Sequence, residues 1–338
     1  MNQFNIMFTC AGRRIALMGH FRDALAQLGC TGKILATDIT FASPAIHKAD
    51  VGLLVPCVHD SGYIPALLDH VRRHEVKLLV PLTDIDLTLL ARNRGDFEQA
   101  GCTVMIGSES AVSACVDKAS TNALIARAGL SPVRTLMLDQ FLAQPFYPCF
   151  VKPVRGSAGV GSSIIRNEYE LREHMGTFGQ DLIVQEYLSG QEYTIDVYRS
   201  RDGKVHCVVP RQRLVVRSGE VEKAMTVHDD ALIEAGRRLG ELVDGLWGVF
   251  CCQCRRGADG ESPRFFEINP RFGGGSPLSI AAGANLPLYL LQEVMGRPIT
   301  AKLGEFTDKL LMLRYDDALY VQADDIQNLP GYRSPQFR

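Results

Sequence analysis

The stretch Phe265-Phe266-Glu267-Ile268-Asn269-Pro270-Arg271-Phe272-Gly273-Gly274-Gly275-Ser276 decides how this chain is read. As a strand it alternates, so Glu267 and Asn269 point to one face and Phe266 and Ile268 to the other. A carboxylate and an amide oxygen together at a strand end form a hard-oxygen pair suited to Mg²⁺. Pro270 ends the ladder because it has no N–H to donate. Arg271 follows with a planar, permanently charged fork that matches phosphate or carboxylate. Gly273, Gly274 and Gly275 let the backbone approach a ligand closely before Ser276-Pro277 opens a helix. Glu-x-Asn alone would be an ordinary strand end. Metal-ligand types, an arginine and a glycine-rich helix entry in one short stretch point to a site.

Working outward, Gly248 to Arg255 and Pro263 to Asn269 read as an antiparallel pair, which sets Gln253 across from Glu267. Glu192 to Val197 alternates polar and apolar residues, the pattern of a half-buried sheet. Val205–Pro210 and Arg211–Val216 continue that sheet as two strands, with turns at Gly203 and Gly219. Leu182 to Tyr187 is a further strand, and Asp229 to Val243 an amphipathic helix. Phe150 to Pro153 ends as a strand and leads into Arg155-Gly156-Ser157-Ala158-Gly159-Val160-Gly161-Ser162-Ser163. Gly156 and Gly161 have Walker-loop spacing, but Ser162 stands where that motif needs lysine, and Ile164-Ile165 continues as strand rather than helix. The segment is therefore a glycine-rich hairpin, either a plain surface turn or a flap whose N–H groups cover phosphates. Its glycines and serines, flanked by Lys152 and Arg155, exceed what a turn needs. Lys118 opens a helix that runs to Ala128, and Ser276–Ala282 and Leu286–Met295 close the chain's helical set.

The first third alternates strands and helices. Phe4–Thr9, a helix to about Leu28, and Lys33–Thr37 ending at Asp38 make a β-α-β opening in which Asp38 sits where a ribose-binding acid would. Gly12 stands alone where a dinucleotide fingerprint needs three glycines, so a plain structural unit is the better reading. Arg13 and Arg14, at a helix start, either meet an anion or form a solvated cap. Strands at Gly52–Pro56, Lys77–Pro81 and Cys102–Ile106 alternate with helices at Tyr63–His74 and Leu87–Ala100. That order predicts a parallel sheet covered on both faces, with ligands beyond the strands' carboxyl ends. Cys10 to Arg14 and Thr83, Asp84 and Asp86 lie at such ends. The two aspartates either read an amine or cap the next helix.

The 338 residues are 46% hydrophobic with net charge −2, an ordinary globular composition that argues against a broad electrostatic nucleic-acid surface and leaves room only for local basic patches. No apolar run reaches membrane-spanning length, and Asn2, Gln3 and Asn5 make the N-terminus a first strand rather than a signal peptide. The ten cysteines lack framework spacing, so reduced thiols and a cytoplasmic location are expected. Cys251, Cys252 and Cys254 have no second Cys/His pair at finger spacing and read as small buried hydrophobes.

With these pieces in order, the chain resembles the ATP-grasp superfamily, close to the carbamoyl phosphate synthetase large subunit and smaller carboxylate–amine ligases. The resemblance implies a mixed α/β and α+β fold. A Rossmann-like domain would span residues 1–113, a small ATP-grasp lobe with its lid 114–190, and a large lobe with the metal site 191–330. It implies ATP and Mg²⁺ as cofactors, with Mn²⁺ an alternative ion. Lys118 and Lys152 resemble the phosphate lysines, and Gly156, Ser157, Gly159, Gly161 and Ser162 the lid. Glu186, Tyr187 and Leu188 match the hinge that reads adenine, and Glu192 the acid that holds ribose. Gln253, Glu267 and Asn269 match the metal-binding trio, although many relatives carry a second acid at the Gln253 position. Arg271 matches an arginine near the transferred phosphate, and Arg211 and Arg213 lie where similar ligases direct basic groups toward phosphate or carboxylate. Arg271, Lys152 and Arg213 would then be catalytic. The expected activity is ATP-dependent amide formation through an acyl phosphate, from a small-molecule carboxylate and an amine. A small-molecule kinase and a non-catalytic nucleotide-binding regulator are the alternatives. Neither nucleic acid nor membrane is an expected partner, and a homodimer is allowed. The chain lacks the tandem repeat of the synthetase large subunit, which argues against carbamoyl phosphate synthesis itself.

Overall fold

A computed structural model of the chain describes residues 3–154, 160–217, 219–257 and 262–322. Gly156, Ser157 and Gly159 of the expected lid lie outside these residues.

The first unit runs β1 (Asn5–Thr9), α1 (Ile15–Gln27), β2 (Ile34–Asp38), α2 (Pro44–Lys48), β3 (Val51–Leu54), α3 (Tyr63–Arg73), β4 (Val76–Pro81), α4 (Leu87–Arg92), α5 (Arg94–Gln99) and β5 (Thr103–Val104). Its sheet is parallel in the order β3-β2-β1-β4-β5, as the alternating pattern requires. Strand order reverses between β1 and β4, so the crevice of the sheet lies beyond Thr9 and Pro81. The single helix expected over 87–100 is two, because Asn93 leaves helical geometry and turns its side-chain amide back onto the Leu89 carbonyl at 2.8 Å. Asp38 accepts from the Gly12 N–H at 3.0 Å and the Ile39 N–H at 2.8 Å. It ties two strand ends together.

A second stretch follows as α6 (Glu109–Val116), α7 (Lys118–Arg127), β6 (Ser131–Pro132), β7 (Thr135–Met137), α8 (Leu138–Ala143), β8 (Cys149–Pro153), β9 (Ser163–Ile165), α9 (Glu168–Phe178) and β10 (Leu182–Glu186). Four of these strands form an antiparallel sheet in the order β7-β10-β8-β9. Helix α7, grouped above with the small lobe, buries Ile125 and Ala128 in the core of the largest sheet instead. Strand β6 likewise pairs with that sheet's edge.

The rest comprises β11 (Gln191–Arg199), β12 (Val205–Arg217), β13 (Glu220–Thr226), α10 (Asp230–Leu242), β14 (Gly248–Arg256), β15 (Arg264–Asn269), α11 (Ser276–Ala281), α12 (Leu286–Val294) and β16 (Leu311–Leu313). The two strands expected over 205–216 are one, with Pro210 standing where β13 only begins to pair. The seven-stranded order is β16-β13-β12-β11-β14-β15-β6.

Alternation gives this large sheet two unlike faces. Tyr193, Ile195, Val197, Cys252 and Cys254 face α10. That helix buries Leu232, Ala235, Gly236, Leu239 and Gly240 along one stripe, and Asp229 caps it by accepting from the Leu232 N–H at 3.0 Å. Glycine is required on that stripe, since a Cβ at Gly240 would stand 2.5 Å from a Val205 methyl. The opposite face is divided along its length. Glu192, Thr194 and Asp196 make one end polar, whereas Tyr198, Cys207, Val209 and Val249 join the core of α1, α11 and α12 at the other. Each buried aliphatic or aromatic side chain in that shared core is worth about 1.5–3 kcal/mol, against about 0–1 kcal/mol for an exposed ion pair. Apolar packing therefore fixes the first unit at one end of the polar surface.

Candidate active site

The polar end of the large sheet is built row by row. Antiparallel register sets Glu192 between Arg213 and Arg255, Thr194 between Arg211 and Gln253, Gln253 beside Glu267, and Cys251 beside Asn269. Residues directly opposite share a face, so one cross-strand row holds Thr194, Gln253 and Glu267 and the next ends at Asn269. The expected facing of Gln253 and Glu267 is present.

The expectation for Phe266 is corrected. Register slips between Gln253 and Cys254, where Cys254 pairs with Phe265 but Gln253 with Glu267, so Phe266 is the extra residue of a bulge. Phe265 and Ile268 both enter the core, and Phe266 is left partly exposed with the Lys152 ammonium 5.9 Å from its ring centroid. Simple alternation places Phe266 with Ile268; the bulge turns it toward the small sheet.

Glu267 acts electrostatically on three cations from separate elements. Lys152 comes from β8 of the small sheet, Lys118 from the first turn of α7, and Arg271 from the loop after β15. Burial pushes the Lys152 amine below its ordinary range, and Glu267 opposes that shift. Burial also lowers Lys118, to about 8, with repulsion from Lys152 adding to it and Glu267 counteracting. Lys118 donates to the carbonyls of Pro153 at 2.6 Å and Val154 at 2.9 Å, so it holds the base of the glycine-rich connection. Burial works against the charge of Arg271, but Asp84 and, more weakly, Glu267 outweigh it and hold the guanidinium above its usual range.

Arg271 and Asp84 join the first unit to the site, with Nε donating to Oδ1 at 2.7 Å. Of the two candidate aspartates, only Asp84 reaches the cleft. Asp86 is fully buried, accepts from Thr9 at 2.6 Å and Tyr63 at 2.9 Å, and is pushed upward by that burial. Arg14, rather than meeting solvent, pairs with Glu220 at 2.6 Å.

A cavity of about 60 Å³ opens beside Glu267's row, lined by Arg211, Arg213, Arg271, Gln253, Asn269 and Glu220 among others. Arg213 is ion-paired with Glu192 at 2.9 Å, and Arg255 takes the other oxygen of that carboxylate. The acid matched to ribose and the arginine matched to catalysis are thus partners. Arg211 is almost wholly buried in a bidentate pair with Asp196, at 2.8 and 2.9 Å, and Ser279 donates to the same carboxylate at 2.6 Å. Its remaining Nη1 is buried with no hydrogen-bond partner among the described residues. Gly275 makes room for it, since a Cβ there would lie 2.1 Å from that nitrogen. Part of the glycine run therefore accommodates the protein's own arginine. The Ser276 N–H is likewise engaged, by the Gly273 carbonyl at 3.0 Å.

At the hinge, the Glu186 carboxylate accepts from the Arg134 N–H at 2.8 Å and from Arg264. The Leu188 carbonyl accepts from Arg255 at 3.3 Å, and Tyr187 is partly exposed beside them. Gly161 adopts φ +70° against Pro153 and Phe178, with Ser162 next to it at the foot of β9. Asp196, Ser279, Glu220 and Arg14 carry no motif; only register and packing bring them to the site.

One carboxylate and two amide oxygens make a thin donor set, and no cluster of three His, Cys, Asp or Glu positioned for a metal exists among the described residues. Such a set fits an ion that arrives with phosphate oxygens rather than one held by protein alone. The zinc alternative has no support, because Cys251, Cys252 and Cys254 are buried free thiols held upward by burial.

Residues 178–316 match a family model described as ATP-grasp in the biosynthetic pathway with Ter operon, and residues 6–105 match the PylC-like N-terminal domain. Residues 178–316 are thus an ATP-grasp domain. Curated relatives of this chain include formate-dependent phosphoribosylglycinamide formyltransferases. That of Synechococcus sp. (strain RCC307) is 26% identical over 82% of this chain and 72% of its own length. That of Bacteroides thetaiotaomicron is 25% identical over 79% and 72%. Among solved structures, an N5-carboxyaminoimidazole ribonucleotide synthetase in complex with ADP superposes with TM-score 0.70 at 17% identity, covering 92% of this chain and 81% of that one. The biotin carboxylase of Campylobacter jejuni gives TM-score 0.71 at 15% identity over 91% and 74%. No helix among the described residues is long and apolar enough to cross a membrane.

Proposed function

We propose that the chain activates a small carboxylate as its acyl phosphate and joins it to an amine, releasing ADP and phosphate. The field of Glu267 on Lys118, Lys152 and Arg271, together with the Gln253–Glu267 register and the Arg271-lined cavity beside it, supports this reading. When bound, ATP would supply the phosphoryl group and Mg²⁺ the positive charge that offsets its negative charge. Glu267, Asn269 and Gln253 would hold the ion. Lys118 and Lys152 would meet phosphate from the small-sheet side, with the glycine-rich lid around Gly161 and Ser162 above them. Glu186, Tyr187 and Leu188 would frame adenine, and Glu192 the ribose. Arg271 and Arg213 border the cavity in which a carboxylate would sit. The acceptor would enter from the crevice of the first unit, beside Asp84. A cytoplasmic location and a homodimer complete the reading.

Nucleotide affinity is expected to depend on pH through Lys118. Below pH 8 the ammonium is charged and meets phosphate at full strength. Above it the free amine dominates, and binding must take up a proton. Affinity for a nonhydrolysable ATP analogue, measured calorimetrically, should fall as pH rises through about 8. Lys118→Arg should flatten that dependence, because arginine stays charged throughout. An equally steep fall in both proteins would remove Lys118 from the phosphate site.

The reaction itself is tested by trapping. Enzyme, ATP and Mg²⁺ are incubated with panels of small carboxylates and hydroxylamine, and hydroxamate and nucleotide products are measured. One class of acid should give hydroxamate with matching ADP. Stoichiometric AMP, or a stable phosphorylated product that hydroxylamine does not intercept, would overturn the ligase reading.

A further inference from the structure

Away from the cleft, the first unit and the large sheet enclose a second cavity of about 400 Å³. Its walls include Arg94 and Glu98 on α5, Ser108 before α6, Arg199 at the end of β11, Arg201 in the following turn, and Trp247. Its size falls within the range of about 300–1,000 Å³ common for small-molecule pockets.

One wall is rigidly built. The Glu293 carboxylate on α12 accepts from the Tyr198 hydroxyl at 2.6 Å, the Trp247 indole N–H at 2.7 Å and the Arg201 backbone N–H at 2.6 Å. These bonds fix the indole against the turn, and the Arg201 guanidinium lies 4.2 Å from the ring centroid. Arg199 is 7% exposed, and one of its Nη atoms donates to the Leu246 carbonyl. Its buried Nε has no hydrogen-bond partner among the described residues. The nearby acids do not supply one. Asp202 is engaged by the Ser200 hydroxyl and the Lys204 N–H, and Glu98 pairs with Arg94 at 3.4 Å. Asp244 and Glu241 act on Arg199 only from a distance.

A roomy cavity walled by three guanidinium groups, with the carboxylates of Asp202 and Glu98 already engaged, suits an anion by its chemistry. We propose that this cavity binds a small effector bearing a phosphate or carboxylate group, held by Arg94, Arg199 and Arg201. The space beyond what the anion needs takes the ligand's body, against Val104 and the edge of Trp247. Two connections run from the cavity to the cleft. Strand β11 carries Arg199 at one end and Glu192 and Thr194 toward the other. The first unit, which contributes Arg94, also supplies Asp84 to Arg271.

Trp247 is the only tryptophan in the chain, so its emission reports on this cavity directly. The full chain is titrated with inorganic phosphate, pyrophosphate and citrate, each against sodium chloride at matched ionic strength. Phosphate and pyrophosphate test the phosphate source, and citrate tests the carboxylate. At least one probe should shift the emission with saturation, and Arg201→Ala and Arg94→Ala should each raise the midpoint at least tenfold. Lys152→Met, which alters the cleft alone, should leave the midpoint unchanged. A linear response identical to chloride with all three probes would overturn the proposal. So would a midpoint that follows Lys152→Met and ignores the Arg94 and Arg201 variants, since the anion would then be binding in the cleft.

Discussion

Replacing Glu267 with glutamine should lower kcat on the order of a thousandfold or more while leaving the fold intact. Glu267 is the only carboxylate in the Gln253, Glu267 and Asn269 set, and the amides that remain cannot neutralise a divalent ion. A metal bridge to phosphate supplies several kcal/mol of stabilisation, and each ~1.4 kcal/mol is a factor of ten in rate. The change removes a second function too, because Glu267 opposes the lowering of both Lys118 and Lys152. The amide variant should therefore bind nucleotide more weakly as well, most visibly near pH 8. The fold should survive, since Glu267 faces the cleft and the core side of β15 is carried by Phe265 and Ile268. Turnover within a few-fold of the parent at limiting Mg²⁺, with an unchanged circular dichroism spectrum, would remove Glu267 from the metal site.

The largest effect on stability is expected at Arg211. Its pair with Asp196 is buried on both sides, with side-chain exposures of 1% and 0%. Removing one member of such a pair leaves an uncompensated charge and costs about 3–5 kcal/mol. Arg211→Met should lower the unfolding free energy by that amount, read from a lowered urea midpoint at little-changed slope. Adding Asp196→Asn should recover part of the loss, because Ser279 can still bond to the amide oxygen. A loss below about 1 kcal/mol would show that Asp196 is solvated or repartnered. Arg211 would then be free to serve a ligand outright, as the family resemblance implies.

The sequence displayed most of the architecture because local rules and global packing agree there. Strand–helix alternation in the first third produces the parallel sheet, and the Glu192–Val197 alternation produces a sheet with one polar face. The facing of Gln253 and Glu267 follows from hairpin register. Three things were hidden, each for a physical reason. A bulge at Phe266 changes the face of one residue without changing composition. Arg211 and Arg271 read as free cations, but long-range packing gives them Asp196 and Asp84. Glycines 274 and 275 read as ligand approaches, yet a Cβ at either would strike Glu220, Arg14 or Arg211. Partners separated by many residues, such as Arg14 and Glu220, leave no mark on spacing.

The most direct test of the central claim follows oxygen. A substrate acid labelled with heavy oxygen in its carboxylate is turned over with ATP, Mg²⁺ and its amine, and the released phosphate is analysed by mass. An acyl phosphate route moves one carboxylate oxygen into phosphate in every turnover, with ADP as the nucleotide product. Unlabelled phosphate, or label appearing in AMP, would contradict it.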